Sequence, residues 1–295
     1  IAINLLADLS RKGIPAHYAT GSKAFTETLW QVIGRGARSM FKYFNSYARA
    51  EADSIDVLIC DESHRIRETS ASRFTPREAR TGLPQIDELL NVARICVFFI
   101  DDRQVVRPNE IGSTSYIKQR ALSVGAEISE FQLEVQFRCA GSAGFVNWIN
   151  NTLGIERNAN VLWDGSEGFE FKILPSPWAL EEAIREKAAA GLTARVAAGF
   201  CWPWSEPRAD GTLVDDVVIG DYRRPWDAKP GSRHLAPGIP SASLWATDPA
   251  GIEQIGCVYN IQGFELDYVG VIWGEDLVYR FERNDWVGNR ETNRV

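Results

Sequence analysis

Histidine is scarce in this 295-residue chain, with copies only at His17, His64 and His234, and methionine occurs once. Three histidines so far apart argue against a His-rich metal centre. Cysteine is sparse and odd in number, at Cys60, Cys96, Cys139, Cys201 and Cys257, with no two within a few residues of each other. That spacing argues against a disulfide framework or a zinc knuckle. It fits a reducing cytosol, so a cytoplasmic location is expected. No apolar run reaches the ~18 residues that span a bilayer, and no secretory signal is visible, so no membrane partner is expected. An excess of positive charge is also missing. Acidic residues outnumber basic ones, 39 to 32, for a net charge of −7. This argues against a broad basic surface for nucleic acid, although a local basic groove remains compatible with it. There is no internal repeat or low-complexity tract.

What is present is ordinary globular material. Apolar residues make up 45% and charged residues 24%, enough apolar surface to bury a sizeable core. The length accommodates two domains. The chain opens on Ile1 rather than methionine, and Ile1 to Leu9 reads as the middle of an amphipathic helix that ends at Lys12-Gly13. The chain is therefore expected to begin inside a domain. Asn289 to Val295 likewise stops without a terminating pattern.

Short apolar runs alternate with helical patterns. Strands are expected at Pro15–Thr20, Ile55–Cys60, Arg94–Ile100 and Phe131–Val135, and helices at Phe25–Val32, Pro84–Ala93, Ser115–Ser123 and Ala143–Leu153. The polar, Gly-containing stretch Gly154–Gly168 marks a domain boundary, giving domains 1–153 and 154–295. A second alternation comes after it, with strands at Phe169–Leu174 and Thr193–Phe200 around a helix at Trp178–Ala190. Residues 203–251 are rich in Pro, Gly, Asp and Trp and read as an irregular insertion with a hairpin around Val217–Ile219. Strands at Ile255–Asn260 and Tyr268–Trp273 close the pattern. Such alternation predicts βαβ units and parallel sheets, and nearly all-apolar strands predict helices on both faces. Ligands of such sheets bind beyond the carboxyl ends of the strands.

Four elements carry chemistry. Val57-Leu58-Ile59-Cys60 runs into Asp61-Glu62. One acid on a rigid strand end can hold magnesium, and a second can orient or deprotonate a water, as phosphoryl transfer requires. The bland alternative is a strand that simply ends in two solvated acids. Phe98-Phe99-Ile100 runs into Asp101 and Asp102 and then Gln104, whose amide can bond a γ-phosphate. Arg138 ends the run Leu133-Glu134-Val135-Gln136-Phe137-Arg138, and a lone arginine after a strand is usually solvated or salt-bridged unless the fold carries it to the phosphates. Asn260 to Asp267 places Gly263 between polar residues, where a backbone can approach a ligand closely, or where strands are merely joined. Gly21-Ser22-Lys23 has the wrong order for a phosphate-binding loop, and no G-x-x-x-x-G-K-[ST] occurs. The tryptophans at Trp202 and Trp204 are expected to pack rather than to stack on bases.

Taken in order, these elements resemble superfamily 1 helicases, and more narrowly the Schlafen-group-3-like DNA/RNA helicase domain family of P-loop NTPases. The similar stretches are Ala16–Thr28, Val57–Arg65, Phe98–Val105, Val135–Gly141, Ala198–Trp204 and Ile261–Val271. The resemblance implies an α/β fold of two RecA-like lobes, parallel sheets flanked by helices, with ATP and magnesium between them. It implies that Asp61 binds magnesium, that Glu62 is the catalytic base, and that Gln104 and Arg138 reach the γ-phosphate. Gly263 and Glu265 would couple nucleotide to nucleic acid, with Glu265 near the ribose. Thr20, Gly21, Ser22 and Gln262 would lie on the nucleic-acid side, against a single strand of DNA or RNA. Two departures stand out. The phosphate-loop lysine and the last arginine motif are absent, both at chain ends, and are read as truncation. The chain by itself is accordingly expected to hydrolyse essentially no ATP. The alternative is a nucleotide-binding switch that gates a fused or partner effector domain without separating strands. A third possibility, an α/β hydrolase of unrelated chemistry, would gain ground if no glycine-rich loop ending in Lys-Ser/Thr preceded Ile1.

Overall fold

The computed structural model describes residues 1–34, 36–72, 75–105, 107–133, 139–165, 168–232, 234–261 and 264–292, apart from the side chains at 23, 24, 31, 32, 140 and 259. The chain divides into two compact units, Ile1–Ser129 and Glu130–Val295.

In the first unit the elements are α1 (Ala2–Arg11), β1 (Ala16–Thr20), α2 (Lys23–Val32), β2 (Phe41–Tyr43), β3 (Ile55–Asp61), α3 (Gln85–Val92), β4 (Ala93–Phe98) and α4 (Thr114–Ser123). The four strands form one parallel sheet in the order β2-β1-β3-β4. The Val57–Cys60 run of β3 is apolar because both of its faces are covered. Val57 and Ile59 point into a core with Ala2 and Leu6 of α1 and Phe25 and Leu29 of α2. Leu58 and Cys60 point the other way, into a core with Ile86 and Leu89 of α3 and Ile117 of α4. A strand packed on two sides loses the polar alternation of a half-exposed one. The expected parallel sheet with helices on both faces is therefore present in this unit.

In the second unit the elements are α5 (Ala143–Thr152), α6 (Pro177–Ala189), β5 (Ala194–Ala198), β6 (Val217–Ile219), β7 (Tyr222–Arg224), β8 (Gly256–Cys257), α7 (Val258–Ile261), β9 (Tyr268–Ile272), β10 (Leu277–Arg280) and β11 (Asp285–Gly288). β8-β5-β9 is a three-stranded parallel sheet, and β6-β7 and β10-β11 are antiparallel hairpins. The α6 residue Ile184 packs with Val196 of β5 and Ile272 of β9. Four helices, α2, α4, α5 and α6, open on a serine (Ser22, Ser113, Ser142, Ser176) whose hydroxyl accepts a first-turn N–H. Each such cap satisfies a donor that the helix cannot satisfy itself.

Several expectations are altered by packing. Phe169–Leu174 forms no strand. Its aromatic rings instead join a cluster with α5, Phe169 lying 4.1 Å from Phe145 and Phe171 lying 5.3 Å from Trp148, centroid to centroid. Alternating rings found a side-chain partner there instead of a sheet. The run Ile255–Asn260 is strand for two residues and then turns into α7. Phe131–Leu133 is not strand, and the rest of that expected strand lies outside the described residues. The hairpin around Val217–Ile219 is present, with Val217 opposite Arg224. The closing hairpin β10-β11 has no counterpart among the expected elements.

Candidate functional site

The acid pair stands at the carboxyl end of β3, between β1 and β4. The parallel register sets Thr20 opposite Asp61 and Phe98 opposite Cys60, so three strand ends converge there. Immediately after Asp61 the chain leaves the strand axis, because Glu62 adopts the left-handed conformation at φ +53° and ψ +47°. A non-glycine residue pays about 1 kcal/mol or more for that conformation, so the surroundings must impose it. They do so with hydrogen bonds. Ser63 N donates to Phe99 O (2.9 Å), and the Ser63 hydroxyl donates to Cys60 O (2.9 Å).

Asp61 is oriented by two donors. The Tyr18 hydroxyl donates to its Oδ2 at 2.5 Å, and Glu62 N donates to its Oδ1 at 3.0 Å. Tyr18 is 1% exposed, and burial, then the Asp61 carboxylate, pushes its pKa upward, so the phenol remains a donor. His64 Nε2 lies 3.2 Å from Glu62 Oε2. Burial, reinforced by Arg65, lowers the His64 pKa to about 4. The ring is therefore neutral at pH 7 and flanks the Glu62 carboxylate without adding charge. Asp101 and Asp61 act on the same ring in the opposite direction, which puts the loop after β4 within electrostatic reach of the acid turn.

Two glycines let backbone crowd this turn. A Cβ on Gly112 would stand 2.0 Å from Ser63 O, and one on Gly21 would stand 2.6 Å from Arg65 Cβ. The first neighbour is main chain and cannot swing away. The loop carrying Gly112 is tied in place by Ile111 N donating to Ile66 O (2.8 Å).

The other sequence-predicted residues divide into several groups. Gln104 is half-buried in the loop after β4, where its Nε2 donates to Asp101 Oδ2 at 2.9 Å. Asp102 caps the start of α4 through Thr114 N (2.8 Å). Thr20 and Ser22 are buried, at 0% and 3% exposure, with Ser22 N donating to Thr20 Oγ1 (3.2 Å). Between them only Gly21 is exposed. Glu265 is exposed in the stretch ahead of β9. Arg138, Gln262 and Gly263 lie outside the described residues. Trp202 and Trp204 pack in the core of the second unit, their indoles donating to Val218 O (3.0 Å) and Asp227 O (2.9 Å). Tyr18, His64 and Gly112 gained their places at the site only through the fold. Tyr18 reaches Asp61 because of the β1–β3 register, which no local pattern encodes.

Among the described residues no group of three or more His, Cys, Asp or Glu side chains could hold a metal ion. Magnesium asks less of a protein, because one or two carboxylates suffice when phosphate and water complete its octahedron. Asp61 at an open strand end meets that demand. Each of its oxygens accepts one bond, from Tyr18 or from Glu62 N, and a carboxylate oxygen has a further lone pair. No helix among the described residues is long and apolar enough to cross a membrane.

Comparison with known proteins adds two findings. The family model of the Schlafen group 3 DNA/RNA helicase domain matches residues 1–294. The uncharacterized protein YPL245W of Saccharomyces cerevisiae is 27% identical over 247 residues, which make up 76% of this chain and 50% of that protein. The chain thus spans about half the length of this curated relative.

Proposed function

The chain belongs to the Schlafen group 3 DNA/RNA helicase domain family, and on that premise we propose that it is the ATP-hydrolysing core of a helicase or translocase. The observation that carries this reading is the acid turn, where Asp61 and Glu62 leave the carboxyl end of a central parallel strand through a left-handed residue. In this reading the two units are RecA-like lobes of a P-loop NTPase working in the cytoplasm. Asp61 would hold magnesium, which when bound neutralises charge on the phosphate oxygens. Glu62 orients the attacking water and takes its proton, and Tyr18 holds Asp61 in position. Gln104 would contact the γ-phosphate from the neighbouring strand end, and Arg138 would supply positive charge there. Gly263 and Glu265 would belong to the segment that couples nucleotide to nucleic acid. A single strand would pass Thr20, Gly21, Ser22 and Gln262. Since the Thr20 and Ser22 side chains are buried, the contact on that loop would run through main chain at Gly21.

The test is Glu62→Gln in the full-length protein. Turnover is expected to fall about 10²-fold or more with ATP binding retained, the loss associated with removing a general base. Unchanged turnover would overturn the assignment.

The net charge of −7 favours a second reading, a nucleotide-binding switch that gates an effector domain. Single-stranded DNA or RNA separates the two. Strong stimulation of ATP turnover supports the helicase or translocase, and none supports the switch.

A further inference from the structure

The irregular segment 203–251 takes no part in the acid-turn site, yet it is built into the second unit's core. Trp226 and Trp245 are 1% and 0% exposed, and Trp226 Nε1 donates to Pro203 O at 2.7 Å. Arg195 of β5, itself buried, donates to Trp245 O (3.0 Å) and Asp248 O (2.6 Å), tying the segment to the sheet. On the far side of β8 the same segment runs alongside the chain. Ile255 N donates to Pro225 O (2.9 Å), Asp227 N donates to Ile255 O (2.8 Å), and Trp226 forms a parallel bridge with Ile255.

Asp227 stands at the end of this added edge and is 0% exposed. A carboxylate without a cation in such a place is unfavourable unless its oxygens are bonded. They are bonded, and to two successive elements. Oδ1 accepts from Cys257 N at 3.2 Å, and Oδ2 accepts from Asn260 Nδ2. Cys257 is the last residue of β8 and Asn260 lies in α7, so one carboxyl brackets the point where strand becomes helix. β8 itself is two residues long, and its pairing with β5 ends at Cys257. The sheet gives out where the carboxyl takes over. The stretch Ile261 to Asp267 comes directly after Asn260 in the chain.

We infer that Asp227 is a positioning residue: it clamps the β8–α7 turn, from which the chain runs on toward Glu265 of the stretch assigned to coupling nucleotide and nucleic acid. The coupling role rests on the proposed helicase or translocase function, whereas the clamp does not. The irregular segment is then a buttress for a functional turn. A short side chain with two hydrogen-bonding atoms is needed at position 227. Asparagine can supply one acceptor and one donor there if the Asn260 amide turns over, whereas alanine supplies neither.

The experiment compares Asp227→Asn and Asp227→Ala in the full-length protein, with Asp210→Ala on an exposed turn of the same segment as control. Hydrogen–deuterium exchange of peptides covering residues 255–268 reads the clamp directly. Asp227→Ala should speed that exchange roughly tenfold or more and leave β1–β4 unchanged, while Asp227→Asn stays near the parent. Steady-state kinetics read the consequence. With alanine, kcat stimulated by nucleic acid should fall roughly tenfold or more with a smaller change in the KM for ATP, the expected effect of a displaced group. With asparagine it should stay within about twofold, because the turn remains hydrogen-bonded. Parental exchange in Asp227→Ala, or equal losses for alanine and asparagine, would overturn the clamp. Parental kcat alongside faster exchange would overturn its positioning role. A parent protein that turns over no ATP would defeat the functional reading instead, and exchange would still decide the clamp. If Asp227→Ala does not fold, Asn260→Ala removes one of the two bonds and takes its place with the same readouts.

Discussion

The acid turn after β3 rests on a seven-residue strand whose Val57, Leu58, Ile59 and Cys60 are paired on both sides, to β1 and to β4. The turn after β8 rests on two strand residues, paired to β5 at Gly256 and Cys257. The first turn inherits its position from backbone ladders and from two packed faces. The second has little ladder to inherit from, and a buried carboxyl holds it through side-chain bonds. A long central strand thus spreads responsibility over many residues, and a short one concentrates it on a few. The two regions should therefore respond differently to the same kind of perturbation.

The largest expected contrast is in pH. Burial raises the pKa of Asp227 to about 7, with its bonds to Asn260 and Cys257 opposing. A carboxyl with a raised folded pKa contributes most below its unfolded value, and that contribution is lost as pH rises through about 7. The difference across this window is on the order of 4 kcal/mol. His64 has the opposite sign, because its folded pKa lies near 4 and below its ordinary value. Its contribution is complete above about 6.5 and is lost as pH falls toward 4. Urea unfolding followed by tryptophan fluorescence reports chiefly on the second unit, since nine of the ten tryptophans lie beyond Ser129. Asp227→Asn should flatten its stability between pH 4 and about 7. An unchanged pH profile in that variant would break the comparison.

Next in size is Gly112→Ala. Its new methyl group would collide with the Ser63 carbonyl, and relief requires moving backbone at the acid turn. Overpacking of this kind costs about 2 kcal/mol. Exchange should quicken in the β3–β4 peptides and stay unchanged in β5, β8 and β9. Equal effects in both units would show that the two turns are not independently held.

The smallest expected effect is that of Tyr18→Phe. It removes one of the two bonds to Asp61 and leaves the ladder intact, a loss of about 1–2 kcal/mol. Thermal unfolding checks the stability. ATP turnover of the full-length protein should drop far less than in Glu62→Gln. A loss as large as that of Glu62→Gln would mean that the ladder does not hold the acid turn unaided, which sharpens the comparison against the first unit.

Much of the first unit was legible residue by residue. β3 was visible from its apolar run Val57–Cys60, buried on both faces, and α1, α3 and α4 were visible from their periodicity. Asp61 and Glu62 could be placed at a strand end, since the apolar run stops there. The partners that orient them could not be placed. Tyr18, 43 positions from Asp61, meets it only through parallel register, and His64 meets Glu62 only because the left-handed residue turns the chain. In the second unit the alternating Phe169 and Phe171 imitated a strand, although their rings were destined for Phe145 and Trp148. The segment 203–251 carries little periodicity because its order comes from indole-to-carbonyl bonds and a buried guanidinium, which no spacing rule detects.

Local pattern was thus sufficient for the longer strands of the parallel sheets, though not for β2 or the true length of β8, and for the helices α2, α4, α5 and α6 and the position of the acid pair. Each of these depends on neighbours a few residues away, through hydrophobic period, cap chemistry and the end of an apolar run. Tertiary structure alone decided which donors face Asp61, which carboxyl brackets the β8–α7 turn, and that an irregular segment serves as a buttress. Those contacts join residues tens of positions apart. Their formation depends on strand register and on burying polar groups with partners, and neither is written into any short stretch of sequence.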